Sequence, residues 1–157
     1  MDEILTARAR LKAENIRVGF FIQVGYLGEQ LDDILATRDL IELARPDDVG
    51  VSVSYPLPGT PFCDLVKAQI GTKTRWQESS DLEMMFHGTY TSEFYRAVRE
   101  LLHDQVSARQ LHAAYLDDDY QRAQQSLQRR WESLIAREPQ YRRDANSALD
   151  SDTALAV

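Results

Sequence analysis

The residues able to do chemistry are few: three histidines, one cysteine, a handful of serines, and carboxylates in small groups. His87, His103 and His112 come from separate parts of the chain. Glu100 and His103 have the Glu-x-x-His spacing that sets a carboxylate and an imidazole on one helical face, as in di-iron bundles. Such a centre needs a second Glu-x-x-His and two more glutamates on partner helices, and the second motif is missing, so the pair reads as surface residues of an amphipathic helix. Asp117-Asp118-Asp119 lacks the alternating ligands and central glycine of a calcium loop, and a charged helix face or cap describes it better. Gly25-x-x-Gly28 is too short for a dinucleotide or phosphate-loop fingerprint and has no lysine after it. Ser52, Ser54, Ser79 and Ser80 sit in no nucleophile-elbow pattern. The one charged neighbour of Cys63 is Asp64, the wrong sign for activating a thiol, which points to a packed or half-exposed side chain. Trp76 and Met84-Met85-Phe86 read as core rather than as a cofactor box.

What must position any site is the stretch from Arg17 to Thr60. Val18 to Val24 is a nearly continuous apolar run, the pattern of a strand covered on both faces. Gly25-Tyr26-Leu27-Gly28 turns the chain. From Glu29 the residues Leu31, Ile34, Leu35, Leu40, Ile41 and Leu43 fall largely at helical spacing, with Asp32, Asp33, Arg38 and Asp39 between them. Arg45-Pro46 closes that helix, because proline lacks an amide donor and disfavours helix in the residue before it. Val49 to Tyr55 is rich in β-branched residues and stops at Pro56-Leu57-Pro58-Gly59-Thr60. The unit is βαβ, which predicts parallel strands joined by a right-handed crossover.

Around it, Ile4, Leu5, Ala7 and Leu11 predict a helix over Asp2–Glu14, with Arg8, Arg10, Lys12 and Glu14 on its polar side, packed on the first strand. Thr60 can cap a short helix that has Pro61 at its first position and Gly71 past its end. Thr72 to Tyr90 has no clean period and reads as irregular, with a short strand at Glu83–Phe86. Thr91 or Ser92 caps a helix through Phe94, Tyr95, Val98, Leu101 and Leu102. A second helix, 107–137, carries Leu111, Tyr115, Leu116, Leu127, Trp131, Leu134 and Ile135 in a sparse stripe that suggests a surface position. The polar, small-residue composition of 138–157 predicts a disordered tail.

Composition narrows the function classes. At 157 residues the chain is about one domain long. A net charge of -7 and a pI near 4.9 argue against nucleic acid or an anionic membrane as the main partner, since both select a basic footprint. With one cysteine, neither an intrachain disulfide nor an intrachain cysteine cluster can form. No run approaches the ~20 apolar residues of a membrane span, and the N-terminus has no signal-peptide centre, so a cytoplasmic location is expected.

The corner after a parallel strand is where α/β folds place ligands. Here Gly25-Tyr26-Leu27-Gly28-Glu29 after an apolar strand, then an acidic helix with Thr37, then Val49-Gly50-Val51-Ser52-Val53-Ser54-Tyr55-Pro56-Leu57-Pro58-Gly59-Thr60, resembles the fifth and sixth βα units of radical S-adenosylmethionine enzymes. The branch it is most similar to has an N-terminal cobalamin-binding domain and includes anaerobic oxidative-cyclase-like proteins. The similarity extends through Val66-Lys67, Gly71, Trp76, Ser80-Asp81-Leu82, Met84-Met85-Phe86, Gly88-Thr89-Tyr90 and Phe94-Tyr95, covering about Ile4 to His103.

The resemblance implies an α/β fold: the last two βα units of a partial (β/α)6 barrel over 1–71, followed by an irregular and helical extension over 72–137. It implies S-adenosylmethionine and a 4Fe-4S cluster as cofactors, with cobalamin possible in the parent family. The cluster is held there by a three-cysteine loop after the first strand, which this chain lacks. It places Gln23, Val24 and Gly25 on the adenine side of S-adenosylmethionine, partly through main-chain atoms, and matches Glu29 to the family's acidic residue. Glu29 also has a purely structural account, since a carboxylate in the first turn of a helix complements the dipole. Two departures, Leu27 in place of proline and Gln30 in place of threonine, loosen the corner. The expectation is a C-terminal portion of such an enzyme, either a split subunit or the remnant of a broken reading frame, inactive alone, with the N-terminal half or a second copy of itself as partner. The competing expectation is a non-catalytic accessory or interaction module, using Tyr115, Tyr120, Trp131 and Tyr141 on its long helices. An independent catalyst of another class, such as a metal hydrolase, ranks third.

Overall fold

Alternation along the first apolar run decides the architecture. In the computed structural model, which describes residues 2–69, 82, 84–113 and 117–143, strand β1 (Gly19–Val24) pairs in parallel with β2 (Asp48–Val53), from Gly19 opposite Asp48 to Val24 opposite Val53. Phe20, Ile22 and Val24 share one face with Val49, Val51 and Val53 and join the hydrophobic core. Phe21 and Gln23 share the other face with Gly50 and Ser52. There Phe21 is 74% exposed. The expected cover on both faces is thus corrected to cover on one, because among the described residues the helices pack on a single side. Gly50 has a local reason: a Cβ added to it would come within 3.2 Å of the Phe21 ring.

The helix between the strands, α2 (Leu31–Ala44), buries Ile34, Ile41 and Ala44. It ends at Arg45, which takes the left-handed conformation (φ 49°) and donates its N–H to Ile41 O at 3.1 Å, with Pro46 next. Thr60 caps α3 (Pro61–Val66) as expected, its hydroxyl oxygen accepting the Cys63 N–H at 3.2 Å, and a 3-10 turn over Lys67–Gln69 continues it. Cys63 is half-buried. Residues 70–81, including Gly71, Trp76, Ser79 and Ser80, together with Tyr115 and the tail 144–157, lie outside the described residues. Met84 and Phe86 are buried in the core, but residues 84–86 form a bend rather than a strand.

The first helix departs from its apolar pattern. In α1 (Asp2–Ala13) the buried residue is Arg8, while Ile4 and Leu11 are exposed. It lies against α2, not on β1. A two-stranded sheet offers no second apolar trough, so contact is made by polar groups: Arg8 Nη2 donates to Arg45 O at 2.9 Å and pairs with Asp47 Oδ2 at 3.2 Å. Asp47 Oδ2 also accepts the Val18 N–H at 2.8 Å, tying the entry of β1 to the turn before β2.

The C-terminal helices are longer and more central than the sequence suggests. The helix expected from Ser92 runs on as α4 (Ser92–Ala113), packing across β2 and against α2, and the next is α5 (Asp117–Tyr141). The expected hydroxyl cap is corrected, since Thr91 Oγ1 has no hydrogen-bond partner and Ser92 Oγ accepts the Met84 N–H at 3.3 Å instead. Arg130 pairs with Asp104 while the Tyr141 ring lies 5.8 Å from that of Phe94, so the helices form an antiparallel hairpin. Leu127, Trp131 and Leu134 are buried between them and the rest of the core, which makes α5 a packed element rather than a surface helix. The expected tail is also corrected at its start. Glu138 is a buried helical residue: Tyr90 Oη donates to its carboxylate at 2.5 Å, and Arg142 Nε donates at 2.7 Å. Thr91 N–H to Tyr141 O at 2.9 Å and Arg143 N–H to Thr89 O at 3.0 Å clasp the chain after α5 to the entry of α4.

Candidate functional site

At the C-terminal ends of the strands the chain turns on two glycines in the left-handed region, Gly25 (φ 78°) and Gly28 (φ 84°). Gly25 is required twice over. Its backbone angle disfavours a side chain, and a Cβ there would stand 2.9 Å from Met84 Sδ and 3.4 Å from the Tyr95 ring. Tyr26 stacks on Phe62 at 4.7 Å, and Phe62 meets Phe86 edge-on at 5.2 Å, roofing the corner with three aromatic rings.

Glu29 lies one residue before the cap of α2, not in its first turn, so its role is not the dipole contact expected of it. Its Oε2 accepts the Gly25 N–H at 2.8 Å, closing the corner on itself. The buried Tyr95 hydroxyl faces the same carboxylate without completing a hydrogen bond of good geometry. Loss of solvent around Glu29 pushes its carboxyl up to about 7, against the opposing pull of the Gly25 amide and Tyr95, with Asp33 adding repulsion. Burial, then the Glu29 charge, pushes the Tyr95 phenol up as well. Gln30, which stands where the family pattern has threonine, caps with extended backbone; Asp33 Oδ2 reaches back to accept its N–H at 2.9 Å, and its own Nε2 donates to Gly28 O at 3.0 Å.

The candidate adenine-side residues are placed together but not equally free. Gln23 is exposed on the uncovered face of the sheet. Val24 turns its side chain into the core, and its carbonyl accepts both the Ser54 N–H at 2.8 Å and the Ser54 hydroxyl at 3.3 Å. Gly25 has given its amide to Glu29. The other candidate pairs stay apart from this corner. Glu100 and His103 are exposed on α4, with Glu100 3.9 Å from Arg130, and Asp117-Asp118-Asp119 forms the acidic first turn of α5, where Asp119 pairs with Arg122 at 2.5 Å. Among the described residues no group of three or more His, Cys, Asp or Glu side chains could hold a metal ion.

No protein-family model, curated protein or solved structure matches this chain.

The Tyr95 phenol is pushed up too far to trade protons with the neighbouring Glu29 carboxyl, which is raised toward neutrality. The ionised form of that carboxyl is committed to a main-chain amide, so its direct effect is on the shape of the corner. Sequence reasoning found Glu29 but not Tyr95, which reaches it from the middle of α4's first turns; no local pattern links the two. The same holds for a polar seam between α2 and α4, where Glu42 Oε2 accepts from Arg109 Nη2 at 2.6 Å and from Gln105 Nε2 at 2.9 Å. Burial alone would raise the Glu42 carboxyl, but the Arg109 and Gln105 hydrogen bonds outweigh it and hold the group below its ordinary range.

Proposed function

We propose that this chain is the C-terminal portion of a radical S-adenosylmethionine enzyme, its two strands the last of a partial barrel, and that it acts only when the rest of that barrel is supplied. The observation that supports this reading is the bare face of a parallel sheet. Phe21 and Gln23 are exposed and share their face with half-buried Gly50 and Ser52, opposite the face that joins the core, and neither outer edge of the two-stranded sheet has a partner strand among the described residues. Parallel sheets are otherwise found covered on both sides, and bare edges invite pairing.

The residues present fit the implied cofactors only in part. A 4Fe-4S cluster needs cysteine thiolates, and Cys63 alone cannot hold one, so the cluster belongs to the completing half. For S-adenosylmethionine the fit is also incomplete: Val24 O and Gly25 N–H are already bonded, which leaves the Gln23 side chain as the candidate group open to solvent. No chemical step is assigned to this chain on its own. Trp131, a candidate anchor of the interaction-module alternative, is buried within the hairpin, which weakens that alternative. No described helix is long and apolar enough to cross a membrane.

The test is reconstitution with iron and sulfide under anaerobic conditions, with and without a polypeptide carrying the three-cysteine loop and the first four βα units. Cluster absorbance and cleavage of S-adenosylmethionine only in the mixture, with the two chains co-eluting, supports the reading. A stoichiometric cluster in this chain alone, or no association with the completing half, refutes it.

A further inference from the structure

The end of the sheet opposite the glycine corner holds a second feature, independent of the function proposed above. Between the C-terminal ends of α1 and α2, the turns entering both strands and the α4–α5 hairpin lies a cleft of about 570 Å3, within the size range of small-molecule sites. Its charged lining is Lys12, Arg17, Arg45, Arg109, Glu42 and Asp47. Both acids are already engaged: Glu42 by Arg109 and Gln105, Asp47 by Arg8 and the Val18 amide. The side chains of Lys12 and Arg17 form no ion pair with a described residue, Arg45 acts on Glu42 through its charge without a direct contact, and Arg109 keeps a second guanidinium nitrogen, Nη1, buried and unpartnered. In a chain of net charge -7, four cations on one cleft are not what solubility asks for. The dipoles of α1 and α2 account for Lys12 and Arg45, which sit at helix C-terminal ends, but not for Arg17 and Arg109 converging on the same space.

We propose that this cleft binds a small polyanion, a molecule carrying phosphate groups or several carboxylates. Lys12, Arg17 and Arg45 supply the charge, and Arg109 supplies directed N–H donors, the geometry that suits planar or tetrahedral oxyanions.

The test is titration of the full chain with pyrophosphate and, separately, with citrate at constant ionic strength, followed by heat and by backbone amide shifts. One-to-one saturable binding is expected, with shifts at Asp47, Val106 and Tyr120, and the tighter of the two probes identifies the oxyanion class. Replacing Lys12 and Arg17 together with glutamine, both exposed and so tolerated by the fold, weakens binding about tenfold or more. Arg45→Asn, which keeps a residue tolerant of the left-handed conformation, weakens it in the same direction. Arg130→Gln, outside the cleft, leaves it unchanged. Failure of both probes to saturate by about 10 mM, or equal affinity in the Lys12/Arg17 double variant, overturns the proposal.

Discussion

Replacing Glu29 with glutamine should remove a specific slope from the pH dependence of stability. The Glu29 carboxyl is raised from 4.5 to about 7, chiefly by loss of solvent, so across that interval the folded protein holds a proton that the unfolded chain has released. Stability is therefore greatest below about 4.5, falls as pH rises toward about 7, and levels off above it. At ~1.4 kcal/mol per pH unit the full interval is worth at most ~3.4 kcal/mol, and the solvent contact that Glu29 retains screens this to about 2 kcal/mol. Glutamine is close in shape: its carbonyl oxygen can accept the Gly25 N–H, and its amide can donate toward Tyr95. The assay is urea unfolding at closely spaced pH values from 4.5 to 8, plotted as the difference between wild type and Glu29→Gln, so that contributions common to both cancel. The difference should change by about 2 kcal/mol across the interval, with the variant gaining relative to wild type as pH rises. Parallel curves would show that Glu29 is not desolvated as described and that the corner is open to water.

Gly25→Ala should cost about 2 to 4 kcal/mol in thermal or chemical unfolding, from the left-handed backbone plus the approach of Met84 and Tyr95; an unchanged midpoint would contradict that geometry. Glu138→Ala should lower stability by about 1 to 3 kcal/mol by leaving the buried Tyr90 hydroxyl without its acceptor, while Glu138→Gln, which keeps an acceptor, costs less; equal losses would mean that burial rather than the hydrogen bond matters. Phe21→Ser should change the stability of the isolated chain by no more than ~0.5 kcal/mol, because the ring is 74% exposed, yet abolish co-elution with the completing half. A large destabilisation in unfolding experiments would show that Phe21 is covered within this chain.

The elements that depend on local pattern were legible in the sequence. The apolar run beginning at Val18, the β-branched run ending near Tyr55, the Thr60–Pro61 cap and the apolar face of α2 follow from periodicity and backbone chemistry, and the structure has them within a residue or two. Burial on the sheet was misjudged because Phe21 belongs to a continuous apolar run, and hydrophobicity alone does not say whether a neighbour exists to cover it. Polar contacts between distant residues were not legible. Arg8 reads as the polar side of an amphipathic helix, and its partner Asp47 is 39 positions away; Glu138 reads as the start of a polar tail until Tyr90, 48 positions earlier, is brought against it. In each case the composition is correctly polar, but the group is satisfied by protein rather than water, which is a property of the fold.

The distribution of satisfied and unsatisfied polar groups also separates the two ends of the sheet. At the glycine corner, Val24 O is taken by Ser54, the Gly25 N–H by Glu29, the Gln30 N–H by Asp33 and Gly28 O by Gln30, so a ligand reading main-chain atoms there has to displace bonds already made. At the opposite end Glu42 and Asp47 are each engaged through one carboxylate oxygen, while Lys12, Arg17, Arg45 and Arg109 Nη1 retain capacity to donate. Displacing a good hydrogen bond gains little, whereas exposed side chains such as Lys12 and Arg17 exchange only water. On the proposed reading a completing partner has to rearrange the corner, and protonation of Glu29, whose carboxyl is raised toward neutrality, is the least costly place for that to begin, since it weakens the hold on the Gly25 amide. The cationic cleft needs no such change, so an anion should bind there in the isolated chain, before any completing half is added.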